Sequence, residues 1–179
     1  MTTKKLDLPA WLAGTGRAVH RDGGRVRSVV VRRRFDASID RVWTAWVDGW
    51  TTRIVSGEPK PGQTVVLDLG QPKRTTARIL RCEPPARLAA TWTYGDGAAA
   101  GAPDEVEVRL RADGDGTLLE LEHRSDNGEP WAGGVGAGWE AGLLMFEVRF
   151  RGDDPSSIPA AEAFPALDRL WTELVDAGA

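Results

Sequence analysis

The chain has 179 residues, 41% hydrophobic and 27% charged, with a formal net charge of -3; this fits one compact domain with a real core and excludes a disordered chain. Cys82 is the only cysteine and His20 and His123 the only histidines, so an internal disulfide is excluded and neither a metal site nor a cofactor is expected. No stretch reaches the ~18 apolar residues of a membrane span, and the start Met1-Thr-Thr-Lys-Lys lacks the apolar run of a signal peptide. A soluble, cytoplasmic protein with no membrane insertion is the expectation.

Residues 1–25 hold Pro9, a Leu8/Trp11/Leu12 cluster and an Asp22-Gly-Gly turn, and read as an extension with one apolar anchor. The cations there, Arg17, Arg21 and Arg25 among them, continue to Arg34 along an alternating strand without interleaved aromatics. They read as a solvated face, and no nucleic-acid partner is expected. Val26 to Phe35 is rich in β-branched residues and places Val29, Val31 and Phe35 on one face, a first strand. Ser38 then offers a helix N-cap, and Ile39, Val42, Trp43, Trp46 and Val47 recur at helical spacing up to Gly49, which reads as the C-terminal cap.

A hairpin is predicted around Pro59-Lys-Pro-Gly62, leading into Thr64 to Leu69 with Val65 and Leu67 inward. Strands are predicted over Thr75–Cys82 and Arg87–Tyr94, divided by Glu83-Pro-Pro, and over Glu105–Arg111 and Thr117–Arg124, divided by Asp113-Gly-Asp-Gly. The last pair alternates charged residues with Val106, Val108, Leu110, Leu119 and Leu121, so one face is wet and the other needs an apolar cover. That cover is a helix expected from Gly138 to Arg151, with Trp139, Gly142, Leu143, Phe146 and Phe150 on one stripe. A terminal helix over 160–177, interrupted near its start by Pro165, follows at Phe164, Leu167, Leu170, Trp171 and Leu174. The Ala/Gly run 95–102 reads as a flexible loop.

Three phrases in order, Arg33-Arg-Phe-Asp-Ala-Ser-Ile-Asp-Arg-Val-Trp-Thr-Ala-Trp46, Cys82-Glu-Pro-Pro-Ala-Arg-Leu-Ala-Ala-Thr-Trp92 and Gly136-Ala-Gly-Trp-Glu-Ala-Gly-Leu143, carry a resemblance to the START-like, or SRPBCC, superfamily. Within it the chain is similar to homologues of the carboxy-terminal domain of the activator of the ninety-kilodalton heat-shock protein ATPase. The resemblance runs from about Val26 to Phe150. It implies an α+β helix-grip (START-like, Bet v-like) fold, a curved antiparallel sheet around a long carboxy-terminal helix. On this reading 26–152 is the helix-grip domain, between the extension 1–25 and a helical extension 153–179. It also implies a hydrophobic cavity between sheet and helix that binds a small apolar, lipid-like or amphipathic molecule.

No Gly-x-Ser-x-Gly elbow is present, and Gly134-Val-Gly-Ala-Gly lacks the strand-then-helix setting of a dinucleotide fingerprint. The candidate cavity wall takes Leu67, Ile79, Val108 and Leu121 from the strands, Trp46 and Trp92 as rigid rings, and Trp139, Leu143 and Phe146 from the long helix. Polar candidates are fewer. Counting by two aims His123 inward, either as a ligand donor or as a strand-end histidine satisfied by a backbone carbonyl or water. Tyr94 shares a face with Trp92 and reads as a polar handle or as a core tyrosine reaching solvent. Arg81, with Ala77 and Ile79, and Arg33, with Val31 and Phe35, read as inner-rim cations for a carboxylate or as partners of Glu83, Glu120 or Glu122. Three functions stay open: a binding module for a small apolar molecule, a cyclase-like enzyme with His123 and Tyr94 as acid and base, and a protein-interaction module, with a homodimer possible and a chaperone partner not expected.

Overall fold

The computed structural model describes residues 6–70, 73–95, 102–126 and 130–177, and for 130–133 the backbone alone. Most of the predicted Ala/Gly loop, 96–101, lies outside the described residues. In chain order the elements are α1 (Leu8–Ala13), β1 (Thr15–Asp22), β2 (Arg25–Phe35), α2 (Ile39–Thr51), β3 (Ile54–Ser56), β4 (Thr64–Leu67), β5 (Thr75–Glu83), β6 (Arg87–Tyr94), β7 (Asp104–Asp113), β8 (Gly116–Arg124), α3 (Pro130–Phe150), a 3-10 turn Pro155–Ser157, and α4 (Ala160–Asp176). They form two compact units, 1–33 with 128–179, and 34–127.

In the first unit the predicted extension carries a strand that the sequence reading left out. Asp7 opens α1 by accepting from Ala10 N at 3.1 Å, and β1 then pairs antiparallel with β2 through a two-residue turn. Gly23 and Gly24 both take positive φ, 55° and 80°, which a right-twisted hairpin of this length requires and which only glycine adopts without strain. The long helix begins at Pro130, eight residues' worth of glycine-rich sequence before the expected Gly138. Gly134, Gly136 and Gly138 lower its intrinsic propensity, but packing overrides this: a Cβ at Gly136 would stand 2.3 Å from Trp171 Cε3, so the bare backbone lets the α4 indole close in. α4 runs through Pro165 as one helix rather than breaking there.

α3 is apolar on more than one face. One stripe, Ala137, Ala141, Leu144, Met145 and Val148, packs with Leu8 and Trp11 of α1 and Ala163 and Leu167 of α4. Two carboxylates, Glu140 and Glu147, lie two turns apart and are 0% and 2% exposed. Burying them is costly unless every oxygen is partnered, and both are. Glu147 accepts Trp11 Nε1 at 2.7 Å, Arg33 Nε at 2.7 Å and Arg33 Nη2 at 3.1 Å, and pairs with Arg151. Glu140 accepts Trp171 Nε1 and Arg17 Nε, each at 2.7 Å. Each glutamate therefore joins one arginine of the β1–β2 hairpin to one tryptophan of a flanking helix. Arg33, read from sequence as an inner-rim cation, is consumed here: its Nη1 also donates to Trp11 O at 2.9 Å.

The second unit is an antiparallel meander with α2. β3 to β8 pair each with the next in sequence. Val106 stands opposite His123, Val108 opposite Leu121 and Leu110 opposite Leu119, while Glu107 faces Glu122 and Arg109 faces Glu120. Because directly opposed residues share a face, the apolar pairs line one side and the charges the other, as the alternation predicted. On the charged face Glu107 is nearly inaccessible and is held by Arg87, Arg109 and Arg124. Burial raises the Glu107 pKa, but hydrogen bonds from Arg87 and Arg109 and their charges outweigh it, and the group lies below the ordinary 4.5.

Candidate functional site

The candidate site lies in the second unit and begins with α2. Ser38 accepts from Arg41 N at 3.4 Å and starts the helix where predicted, but the helix does not stop at Gly49. That residue occupies an exposed helical position, and the helix continues to Thr51. The extra turn matters because it brings in Trp50, four residues after Trp46 and so on the same face. The two rings are 5.9 Å apart and tilted by 59°. Trp50 then meets Trp92 of β6 edge-on at 5.5 Å, and Trp92 meets Tyr94, two residues along the same strand face, at 6.3 Å and 78°. Edge-to-face geometry at these separations is the favourable arrangement for aromatic pairs. The sequence had supplied Trp46, Trp92 and Tyr94; it missed Trp50, whose signal was the i, i+4 spacing beyond a glycine read as a cap.

Trp46 and Trp92 are buried, whereas Tyr94 is 43% exposed, so the aromatic run ends at solvent. Part of the phenol is nevertheless shielded by its neighbours. That loss of water, followed by the negative charge of Asp104, raises its pKa above the ordinary 10.0 despite an opposing interaction with Trp92. Tyr94 is therefore a neutral phenol at physiological pH, able to donate and accept a hydrogen bond.

Asp104 stands opposite Trp92 on β7. One of its carboxylate oxygens is 3.0 Å from His123 Nε2, and the imidazole is wholly buried. With its proton on Nε2 the ring donates to the carboxylate. His123 is buried on the inward face, and the Asp104 side chain is one of its partners. The residue that ties His123 to the neighbourhood of Tyr94 is Asp104, which sequence reasoning passed over because it precedes the predicted strand.

Thr75 completes the arrangement. It lies directly opposite Tyr94 on β6 and Leu67 on β4, and is 1% exposed. Its hydroxyl oxygen finds no hydrogen-bond partner among the described residues, a costly state for a buried polar atom.

Of the remaining predicted residues, Leu67, Ile79, Val108 and Leu121 are buried on the apolar face of this sheet. Arg81 is not. The β5–β6 register shifts between Ile79 and Arg81, so that Ile79 opposes Ala90 while Arg81 opposes Ala89. One extra residue at Leu80 flips Arg81 to the opposite face, where it is exposed, and removes it as an inner-rim cation. Trp139, Leu143 and Phe146 belong to α3 in the other unit, with Leu143 buried, the other two half-buried, and the Phe146 ring 5.8 Å from that of Phe150. Among the described residues no cluster of three or more His, Cys, Asp or Glu side chains is arranged to hold a metal, and no helix is long and apolar enough to cross a membrane.

Residues 36–150 match the family model described as activator of Hsp90 ATPase homolog 1-like protein. CalU16 from Micromonospora echinospora is similar in its crystal structure, with a TM-score of 0.68 and 33% identity over 90% of this chain and 98% of that one. The protein encoded by BPP1335 from Bordetella parapertussis is similar with a TM-score of 0.62 and 25% identity over 97% and 95% of the two chains. PFC0360w, described as an HSP90 activator from Plasmodium falciparum, shares the fold with a TM-score of 0.55 and 18% identity over 72% and 98%. No curated protein matches the chain.

Proposed function

The chain belongs to the activator of Hsp90 ATPase homolog 1-like family and has its α+β helix-grip fold, and from that premise we propose that it binds a small apolar or amphipathic molecule against the Trp46–Trp50–Trp92–Tyr94 run. The observation that carries this reading is the aromatic run itself: rings in successive contact, buried at the Trp46 end and open to solvent at Tyr94. The solvent-facing end at Tyr94 gains affinity by removing apolar area from water, the buried rings give it a rigid backing, and the few polar groups beside it fix orientation. The 18% likeness to an HSP90 activator is one of fold alone, so it does not favour a chaperone partner here.

The test is a library of apolar small molecules screened by thermal shift and by tryptophan fluorescence. Binders that raise the melting temperature and change the emission are expected, with the response reduced in Trp92→Leu. A library without a single binder overturns the proposal.

A further inference from the structure

We infer that Thr75 is the polar anchor of this site, so that its ligand is an aromatic molecule bearing a hydroxyl or carbonyl oxygen beside the ring; this rests on the binding function proposed above and adds the chemical class of the ligand. The sequence reading gave Thr75 no role beyond opening a strand.

Four observations converge on it. Its hydroxyl is buried and has no partner among the described residues. A threonine oxygen normally finds a carbonyl, an N–H or an ordered water when buried, because an unmet hydroxyl forfeits its hydration without recompense. Its position is also at the solvent end of the aromatic run, directly across the strand pair from Tyr94, the most exposed ring of that run. The adjoining exposed group is aromatic, which selects a flat ring able to make edge or face contacts with Tyr94, itself backed by Trp92. Finally, Tyr94 is a neutral phenol, so the two residues paired here each carry a neutral donor and acceptor, and β5 places no cation on this face once Arg81 is turned away. A neutral ligand oxygen is matched by such a pair.

A hydroxyl kept for a ligand has an unusual signature in the free protein. Replacing it by a methyl group of the same shape removes an unsatisfied polar atom, so Thr75→Val stabilises the unliganded protein while weakening only those ligands that bond to Thr75. A purely structural threonine shows the reverse, a loss of stability with no discrimination between ligands.

The experiment measures the binding of 2-naphthol and of naphthalene by calorimetry, with the melting temperature of the free protein, for wild type, Thr75→Val and Thr75→Ser. Wild type and Thr75→Ser are expected to prefer 2-naphthol by about three- to tenfold beyond any preference of Thr75→Val, the value of one neutral hydrogen bond. Thr75→Val is expected to melt higher and to bind naphthalene unchanged. If Thr75→Val does not fold, Thr75→Ala carries the same loss of preference without the added methyl. If both probes bind with the same ratio in all variants, the anchor is overturned and the binding function stands. If neither probe nor any library member binds wild type, the binding function falls and the anchor with it.

Discussion

Glu147→Gln is expected to be among the most destabilising single-atom changes in the molecule. The carboxylate is 2% exposed and faces Arg33, itself nearly buried, through two hydrogen bonds of 2.7 and 3.1 Å. Substituting glutamine leaves the side chain the same size but leaves the Arg33 cation without its countercharge in a poorly hydrated place. Breaking a buried pair from one side costs about 3–5 kcal/mol. Glutamine keeps an oxygen for Trp11 Nε1, and Arg151 is half-exposed and adds little, so the lower figure, about 3 kcal/mol, applies. For a chain of this length that lowers the melting temperature by about 6–12 °C. Urea unfolding followed by circular dichroism measures it, and tryptophan emission reports the site because Trp11 is one of the donors. Arg33→Met in the same chain should recover part of the loss, since the uncompensated cation leaves with it. A cost below about 1 kcal/mol for Glu147→Gln, or no recovery in the double variant, would refute the account of this cluster as a satisfied buried ion pair.

Three further outcomes follow from other parts of the molecule. The Glu107 carboxyl is held below 4.5 in the folded state, so its contribution is present above the unfolded-state pKa and lost as pH falls through the folded value; urea midpoints taken from pH 6 to pH 3 should fall less steeply for Glu107→Gln than for wild type, and equal slopes would contradict the assignment. Tyr94 is the only tyrosine, so absorbance near 295 nm titrates it alone: its midpoint should lie above 10.0 and fall in Asp104→Asn, whereas an insensitive midpoint would show that Asp104 does not act on the phenol. Gly136→Ala should destabilise by about 1–3 kcal/mol because its Cβ meets the Trp171 ring, while Gly142→Ala, with nothing within 4 Å, should stabilise by up to about 1 kcal/mol; thermal melts of the two variants moving in the same direction would be inconsistent with this packing.

Taken alone, the amino-acid order determined β5 to β8 and the turns that join β5 to β6 and β7 to β8. β6 spans the predicted Arg87–Tyr94, and the wet and dry faces of β7 and β8 fall as the alternation requires, because the two-residue period and the turn residues act over a few positions of chain. The family resemblance was legible in short phrases of the same kind, at the start of α2, across the β5–β6 turn and within α3. What only the tertiary structure decided depends on partners distant in sequence. A one-residue bulge, set by pairing with β6, turned Arg81 outward; packing carried α2 past Gly49 to bring Trp50 against Trp92. Glu140 and Glu147 look like ordinary solvent-facing helix glutamates until Arg17, Arg33, Trp11 and Trp171 arrive from over thirty to more than a hundred positions away. Thr75 had no signature at all, since a hydroxyl's want of a partner is a property of the space around it and not of its neighbours along the chain.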